Sequence, residues 1–239
     1  MGMRLPNAAL MYGRCKVNVL MVDYRGYGSS TGKPSERGLQ LDSLAVVEFA
    51  KKHPRLTNSK LVVFGRSLGG AVAVWVADSK PELIGGVILE NTFLSIPDMV
   101  DSIMPFLAPF NWLVLRIKWK SCETIARVKQ PILFVSGLRD ELVPPHHMQK
   151  LASLATSAAF TTFKSVQDGR HNDTFQRAGI AYYTWLKVFF DTLTGGSGAD
   201  SCDDDESTTT CFPSSSRGEV NDDTADVALP TMGRNFVVH

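Results

Sequence analysis

Residues 61–78 read LVVFGRSLGGAVAVWVAD, and this stretch decides the fold. Residues 61–64 form a short apolar run that is typical of a buried strand, whereas residues 68–78 form an apolar run of helical length. Gly65 and Gly69 stand two residues on either side of Ser67, where the lack of a Cβ would let strand and helix approach closely. The pattern therefore predicts a tight strand-to-helix turn that exposes the Ser67 hydroxyl.

A serine on such a turn is placed for nucleophilic attack. The G-x-S-x-G spacing has meaning here because a predicted strand precedes it and a predicted helix follows it. The backbone N–H of Leu68 would lie at the N-terminus of the helix, whose dipole favours a developing negative charge. We therefore predict Ser67 as the nucleophile and Leu68 as a donor of the oxyanion hole.

The remaining apolar runs predict a sheet that is buried on both faces. Each run is continuous, which suits parallel strands covered by helices better than half-exposed antiparallel strands. Amphipathic stretches of helical period lie between the runs, and this alternation predicts a doubly wound, mostly parallel α/β fold. The predicted strands are 17–23, 61–64, 86–89 and 132–135, with 160–166 as an edge candidate; the predicted helices are 39–52, 68–78, 146–154 and 179–193.

An elbow serine needs a histidine to remove its proton, and in this type of fold the chain order is serine, acid, histidine. His171 follows the last predicted strand in a loop from which it could reach back over the sheet, so we predict it as the base. His146 and His147 come after two prolines. Those two histidines are expected to open a solvated surface helix.

Two carboxylates compete for the role of the acid. Asp140 follows the strand at 132–135, and Glu90 ends the strand before it. We favour Asp140, because an acid one strand later spans the gap to the His171 loop better. Each of the two could instead serve as a helix cap or in a loop salt bridge.

Composition limits the other function classes. The net charge of the 239-residue chain is +1, with no basic face in the pattern, which argues against nucleic acid as a partner. The four cysteines form no C-x-x-C pair, which disfavours zinc. No metal or cofactor is expected. Residues 1–194 are predicted to form one domain, and the Gly-rich, then acidic and Ser/Thr-rich residues 195–239 a disordered tail.

Five stretches carry a family resemblance. In order along the chain they are VDYRGYGSSTGKPSE at 22–36, FGRSLGGAVA at 64–73, ENTFLSIPDM at 90–99, SGLRDELVPP at 136–145 and DGRHNDT at 168–174. With these motifs the chain resembles the Bem46-like serine hydrolases. The resemblance implies an α/β-hydrolase fold, a catalytic triad of Ser67, Asp140 and His171, and a structural role for the Asp-Tyr-Arg-Gly turn at 23–26.

The resemblance also implies a difference at the front of the chain. The family's fold begins with three earlier strands and an HGN-type loop that donates the second oxyanion N–H, and nothing before residue 17 resembles them. We therefore expect an N-terminally truncated fold. One central position in the sheet, between the strands at 17–23 and 61–64, is expected to be empty.

Residues 103–115 are apolar, broken by prolines, and lie where this fold usually inserts a cap. An apolar cap would suit an acyl or lipid substrate and could contact a membrane surface, although an ordinary buried helix explains the pattern equally well. No stretch is long enough to span a bilayer, so a soluble, cytoplasmic protein is expected. The resemblance, in contrast, implies an N-terminal membrane anchor for family members.

Three functions remain open at this point. The first is hydrolysis of an ester or thioester through an acyl-enzyme on Ser67. The second is a catalytically impaired fragment or binding module that keeps the fold, which the absent oxyanion loop favours. The third is acyl transfer to an acceptor other than water, which would use the same residues.

Overall fold

The computed structural model describes residues 4–54, 56, 59–103, 117–195 and 235–238. Residues 104–115 of the predicted cap lie outside the described residues. So does most of the predicted tail, whose disorder stays a prediction.

Helices and strands alternate along the chain as the sequence predicts. In chain order the elements are α1 (Leu5–Cys15), β1 (Asn18–Leu20), α2 (Glu36–Lys52), β2 (Lys60–Arg66), α3 (Leu68–Ser79), β3 (Ile84–Glu90), α4 (Ile96–Ile103), α5 (Ser121–Thr124), a 3₁₀ turn (Ile125–Arg127), β4 (Ile132–Gly137), α6 (His146–Leu154), β5 (Thr161–Val166), α7 (Thr174–Ala178), α8 (Ile180–Thr194) and β6 (Asn235–Val238). The predicted boundaries agree with these elements to within a few residues.

The described strands form a single parallel sheet in the order β1-β6-β2-β3-β4-β5. β5 is an edge strand, which confirms the expectation for residues 160–166. Because all the strands run the same way, the carboxyl ends of β2, β3, β4 and β5 meet at one edge. The predicted site residues follow these ends, so the topology brings them to the same side of the sheet.

The expectation of an empty central position was wrong. β6 lies in that position and pairs in parallel with β1 through Asn18–Leu20 and with β2 through residues 60–63. An unpaired strand edge exposes N–H and C=O groups that are costly to bury, and a strand from the far end of the same chain supplies the partners. The acidic and Ser/Thr-rich composition around this segment hid its short apolar run.

Helices cover both faces of the sheet, which explains why the strand sequences are continuously apolar. Val63 and Leu89 point into a core shared with α2, α3 and α6. Their neighbours Val62 and Ile88 point to the opposite face, into a core shared with α1 and α8. Successive strand side chains alternate between faces, so burial of both faces requires apolar residues at every position.

The Asp-Tyr-Arg-Gly turn, for which a structural role is implied, is attached to α2. The Arg25 guanidinium donates to the Asp42 carboxylate at 2.6 and 3.0 Å, and the Arg25 backbone N–H donates to the same group. This pair fixes the connection between β1 and the first helix after it. Ser35 caps that helix by accepting a hydrogen bond from the Gly38 N–H.

Candidate active site

Ser67 occupies a strained turn between a strand and a helix. β2 ends at Arg66 and α3 begins at Leu68, so Ser67 alone joins them, with φ 54° and ψ −124°. A non-glycine residue at positive φ persists only when the surroundings hold it there. Here the Ser67 N–H donates to the Glu90 carbonyl at 3.1 Å, and the Ser67 carbonyl accepts from Thr92 Oγ1 at 2.7 Å.

The glycines around Ser67 differ in their function. A Cβ on Gly65 would stand 2.2 Å from the Gly69 carbonyl oxygen, and one on Gly70 would stand 2.5 Å from the Thr92 side chain. A Cβ on Gly69 would meet nothing within 4 Å. The expectation that Gly65 and Gly69 both avoid a Cβ clash was therefore wrong for Gly69. The close approach depends on Gly65 and Gly70.

Leu68, the predicted oxyanion donor, is the first residue of α3. The first N–H groups of a helix have no acceptor inside it, so the Leu68 N–H is available to a ligand at the carboxyl edge of the sheet. The helix dipole places a partial positive charge at this N-terminus, which favours a bound anion. Its role in an oxyanion hole stays a prediction.

The structure brings Asp140 and His171 into direct contact. His171 Nδ1 lies 2.8 Å from Asp140 Oδ2, and the two residues are 5% and 8% exposed. Asp140 Oδ1 accepts the backbone N–H groups of Leu142 and Val143, each at 2.8 Å. These bonds hold the carboxylate in place after β4. A carboxylate on Nδ1 favours the tautomer that leaves Nε2 free to accept a proton.

The nucleophile turn and the histidine loop are tied together by the residues beside them. Arg66 Nη1 donates to the Asn172 carbonyl at 3.1 Å, which joins the neighbour of Ser67 to the neighbour of His171. Within the described residues no hydrogen bond joins Ser67 Oγ to the His171 ring. Catalytic hydrogen bonds are often long without substrate and tighten when it binds.

Glu90, the rival acid, is engaged elsewhere. Its side chain is fully buried, Oε2 accepts the Tyr182 hydroxyl at 2.5 Å, and Oε1 lies 3.5 Å from Arg66 Nη1. Burial raises the pKa of this carboxyl, and the nearby Arg66 guanidinium opposes that effect. In the described part of the chain Glu90 makes no hydrogen bond to His171, so the geometry favours Asp140 as the partner of the base.

His147 was expected in solvent, and this expectation was wrong. α6 begins at His146, yet His147 is fully buried beneath α4. Its Nδ1 accepts the Leu94 N–H at 3.3 Å, and its Nε2 lies 3.1 Å from Ser102 Oγ. Burial lowers the pKa of this histidine, and the adjacent His146 acts in the same direction. A His-His pair after two prolines gave no sequence signal of this packing.

Two residues at the site escaped the sequence reasoning. Arg66 and Asn91 are buried polar residues at the carboxyl ends of β2 and β3, and both contact the His171 loop. Their position in the sequence was the one signal that could have identified them, because Arg66 precedes Ser67 and Asn91 follows Glu90.

A cleft of about 330 Å³ opens beside the nucleophile turn. It lies between the loop after β1 and the start of α3, and its walls include Met21, Asp23, Tyr27, Phe64, Arg66 and Leu68. Apolar, aromatic and charged side chains are thus mixed around the predicted oxyanion donor. The cleft is large enough for a small ligand group.

Two further properties concern the described ranges only. No cluster of three or more His, Cys, Asp or Glu side chains in them is arranged to hold a metal ion. No helix in them combines the length and the apolar character that crossing a membrane requires.

Comparison with known families and sequences shows several relatives. The family described as "Serine aminopeptidase, S33" matches residues 7–124. The chain is 41% identical to the Alpha/beta hydrolase domain-containing protein WAV2 of Arabidopsis thaliana, over 75% of this chain and 62% of that protein. It is 42% identical to Protein bem46 of Schizosaccharomyces pombe, over 73% of this chain and 58% of that protein. A Saccharomyces cerevisiae relative, also 42% identical over 75% and 63%, is named an uncharacterized membrane protein. The chain thus spans about three fifths of the length of these relatives.

Solved structures share the fold at low sequence identity. The Pyrococcus furiosus esterase Pf2001 superposes with a TM-score of 0.64 at 19% identity, covering 80% of this chain and 76% of the esterase. The monoacylglycerol lipase of Paleococcus ferrophilus gives a TM-score of 0.52 at 18% identity, covering 73% and 82%. At these identities the likeness concerns the fold alone.

Proposed function

Because the chain belongs to the Bem46-like family of the α/β-hydrolase superfamily, we propose that it is a serine hydrolase that cleaves an ester or thioester. The proposed triad is Ser67, His171 and Asp140. One observation carries it: a buried 2.8 Å contact joins His171 to Asp140 at the edge of the sheet where Ser67 stands on its strained turn.

The proposed reaction has two steps. His171 Nε2 takes the Ser67 hydroxyl proton while Ser67 Oγ attacks the substrate carbonyl carbon, and the Leu68 N–H stabilises the oxyanion of the tetrahedral intermediate. The proton passes from His171 to the departing alcohol or thiol, leaving an acyl-enzyme. Water, deprotonated by His171, then releases the acid and restores the Ser67 hydroxyl.

Asp140 would act by orienting the base. Its contact with Nδ1 fixes the ring and stabilises the imidazolium that forms when His171 takes the proton. The two backbone N–H groups on the other carboxylate oxygen keep Asp140 from rotating away. The acid therefore needs no movement during the reaction, which is the property that makes such groups effective.

For the substrate we propose an acyl ester or thioester, including those of lipids. The cleft beside Leu68 supports this class, because apolar and aromatic walls around a few polar groups suit an acyl group. The fold itself is compatible with this class, since two solved proteins that share it are named an esterase and a monoacylglycerol lipase. Two predictions remain untested: that residues 103–115 form a cap over the substrate, and that this cap contacts a membrane surface. Residues 104–115 lie outside the described residues.

The test is hydrolysis of p-nitrophenyl esters of increasing acyl length, together with an acyl thioester and an aminoacyl amide. Wild type should hydrolyse one of the ester or thioester series, and Ser67→Ala should not. Ser153→Ala is the matched control, because Ser153 is an exposed serine whose hydroxyl donates to the Lys150 carbonyl within α6. Activity that survives Ser67→Ala would contradict the proposal.

The same assay separates the other readings. Acyl transfer would require the acyl group to appear on an added alcohol or amine rather than as free acid. A binding module would show no turnover and no burst of p-nitrophenol with any ester. Preference for the aminoacyl amide would contradict the ester assignment while leaving the triad in place.

A further inference from the structure

Asn91 lies where the elements of the proposed triad meet. It follows β3 directly, and the residue is 1% exposed. Nδ2 donates to Thr174 Oγ1 at 2.9 Å, to the Arg170 carbonyl at 3.1 Å and to the His171 carbonyl at 3.3 Å. Oδ1 accepts the Gly137 N–H at 2.8 Å.

These bonds join the loops that follow β4 and β5, which are also joined directly because the Arg139 N–H donates to the Gly169 carbonyl at 2.9 Å. Gly137 ends β4 and begins the turn that presents Asp140, whose N–H donates to the Gly137 carbonyl. Arg170 and His171 lie in the loop after β5. The Asn91 amide therefore holds the turn of the acid with its oxygen and the loop of the base with its nitrogen. The distance between Asp140 and His171 depends on both loops keeping these positions.

A side-chain amide supplies both kinds of group that this set of partners needs. Gly137 offers a donor and therefore needs an acceptor, while the carbonyls of Arg170 and His171 need a donor. A carboxylate would place an oxygen against two carbonyl oxygens. An apolar side chain would leave the buried Gly137 N–H without this acceptor and would remove a donor from the two carbonyls, although the Arg170 carbonyl also accepts the Thr174 hydroxyl at 2.7 Å.

The backbone of Asn91 connects the nucleophile to the same arrangement. Its φ is 46°, a left-handed conformation that asparagine tolerates better than most residues. The next residue, Thr92, donates its hydroxyl to the Ser67 carbonyl. Residues 91 and 92 thus contact the nucleophile turn, the turn of the acid and the loop of the base.

We propose that Asn91 is a positioning residue that sets the Asp140–His171 geometry. Its effect on turnover rests on the proposed function, whereas its effect on the His171–Asp140 hydrogen bond does not. Arg66 binds the same loop through the Asn172 carbonyl. The two side chains hold neighbouring carbonyls of one loop.

The test compares Asn91→Gly with Gln130→Met. Glycine removes the amide and tolerates the positive φ, so the change isolates the side chain. Gln130 is also a buried amide, and its Nε2 binds the Ala77 and Pro81 carbonyls away from the site. Gln130→Met therefore measures the effect of losing a buried amide that lies away from the site.

Two readouts are measured on the full chain. The first is the low-field proton resonance of His171 Nδ1–H, assigned by its absence in His171→Gln. The second is kcat and KM on the best ester. Asn91→Gly should shift or abolish the resonance and lower kcat on the order of 10²-fold, the effect of a misplacement of about 1 Å, with KM unchanged. Gln130→Met should change neither.

The outcomes separate the two proposals. A wild-type resonance in Asn91→Gly would overturn the positioning role, and so would a loss of kcat no larger than that of Gln130→Met. If wild type hydrolyses nothing, the proposed function fails, and the resonance alone decides the role of Asn91. A change in KM without a change in kcat would also overturn it, because the effect would then concern substrate binding.

Discussion

Replacing Gly65 by alanine should disrupt the nucleophile turn more than any comparable change near it. The added Cβ would stand 2.2 Å from the Gly69 oxygen, 2.4 Å from the Gly69 carbonyl carbon and 2.5 Å from the Gly70 Cα. All three are backbone atoms, so no side-chain rotation can relieve the contact. Carbon atoms in contact normally lie about 3.5–4.0 Å apart. The start of α3 must therefore move by about 1 Å relative to β2.

This displacement has a cost in stability and a cost in chemistry. Overpacking of this kind typically costs about 1–3 kcal/mol. In a domain of this size each kcal/mol lowers the melting temperature by about 2–4 °C, so we expect a loss of roughly 2–12 °C. A shift of about 1 Å at the nucleophile should also lower the rate of acylation on the order of 10²-fold.

Gly69→Ala is the matched control, because a Cβ there meets nothing within 4 Å. Gly69 lies in α3, where alanine should stabilise the helix by about 0.5–1 kcal/mol. Thermal unfolding followed by circular dichroism measures the change in stability. The rate of labelling by a fluorophosphonate measures the change in the reactivity of Ser67. Equal melting temperatures and equal labelling rates for the two variants would refute the reasoning.

Three further changes test other parts of the account. Asp140→Asn should lower turnover on the order of 10⁴-fold while Glu90→Gln lowers it less, and the reverse order in an esterase assay would assign the acid to Glu90. Burial lowers the pKa of His147 relative to the unfolded chain, so the unfolded state takes up this proton first as the pH falls, and stability should decrease. Urea unfolding of His147→Gln should therefore show a flatter pH dependence than wild type, and an equal dependence would contradict the lowered pKa. Val237→Pro removes an N–H from the strand between β1 and β2 and should cost about 1–3 kcal/mol, so an unchanged urea midpoint would contradict the position of β6.

The fold could be predicted because its signals are local. Continuous apolar runs specify strands that are buried on both faces, and the elbow at Ser67 joins a strand to a helix within a few residues. The family resemblance, supported by relatives about 41% identical, required only motifs in order. The partner of Asp140 could be anticipated for a similar reason, because chain order and parallel strands place both loops at one edge.

The remaining features depend on contacts between distant residues. Nothing near residues 235–238 indicates that they pair with β1 and β2, since a strand of four residues carries little signal of its own. Its position is determined by the gap between β1 and β2 in the sheet. The burial of His147 results from packing of α4, which its own helix does not encode. The role of Asn91 follows from partners 46 to 83 positions away. Asparagine after a strand normally indicates only a turn.

The central claim is that Ser67 is a nucleophile activated by His171. The most direct measurement is covalent labelling of the purified chain with a fluorophosphonate, followed by peptide mapping by mass spectrometry. We expect one adduct, on the peptide that contains Ser67, which disappears in Ser67→Ala and forms far more slowly in His171→Gln. An adduct on another residue, or no adduct on the folded wild-type chain, would contradict it.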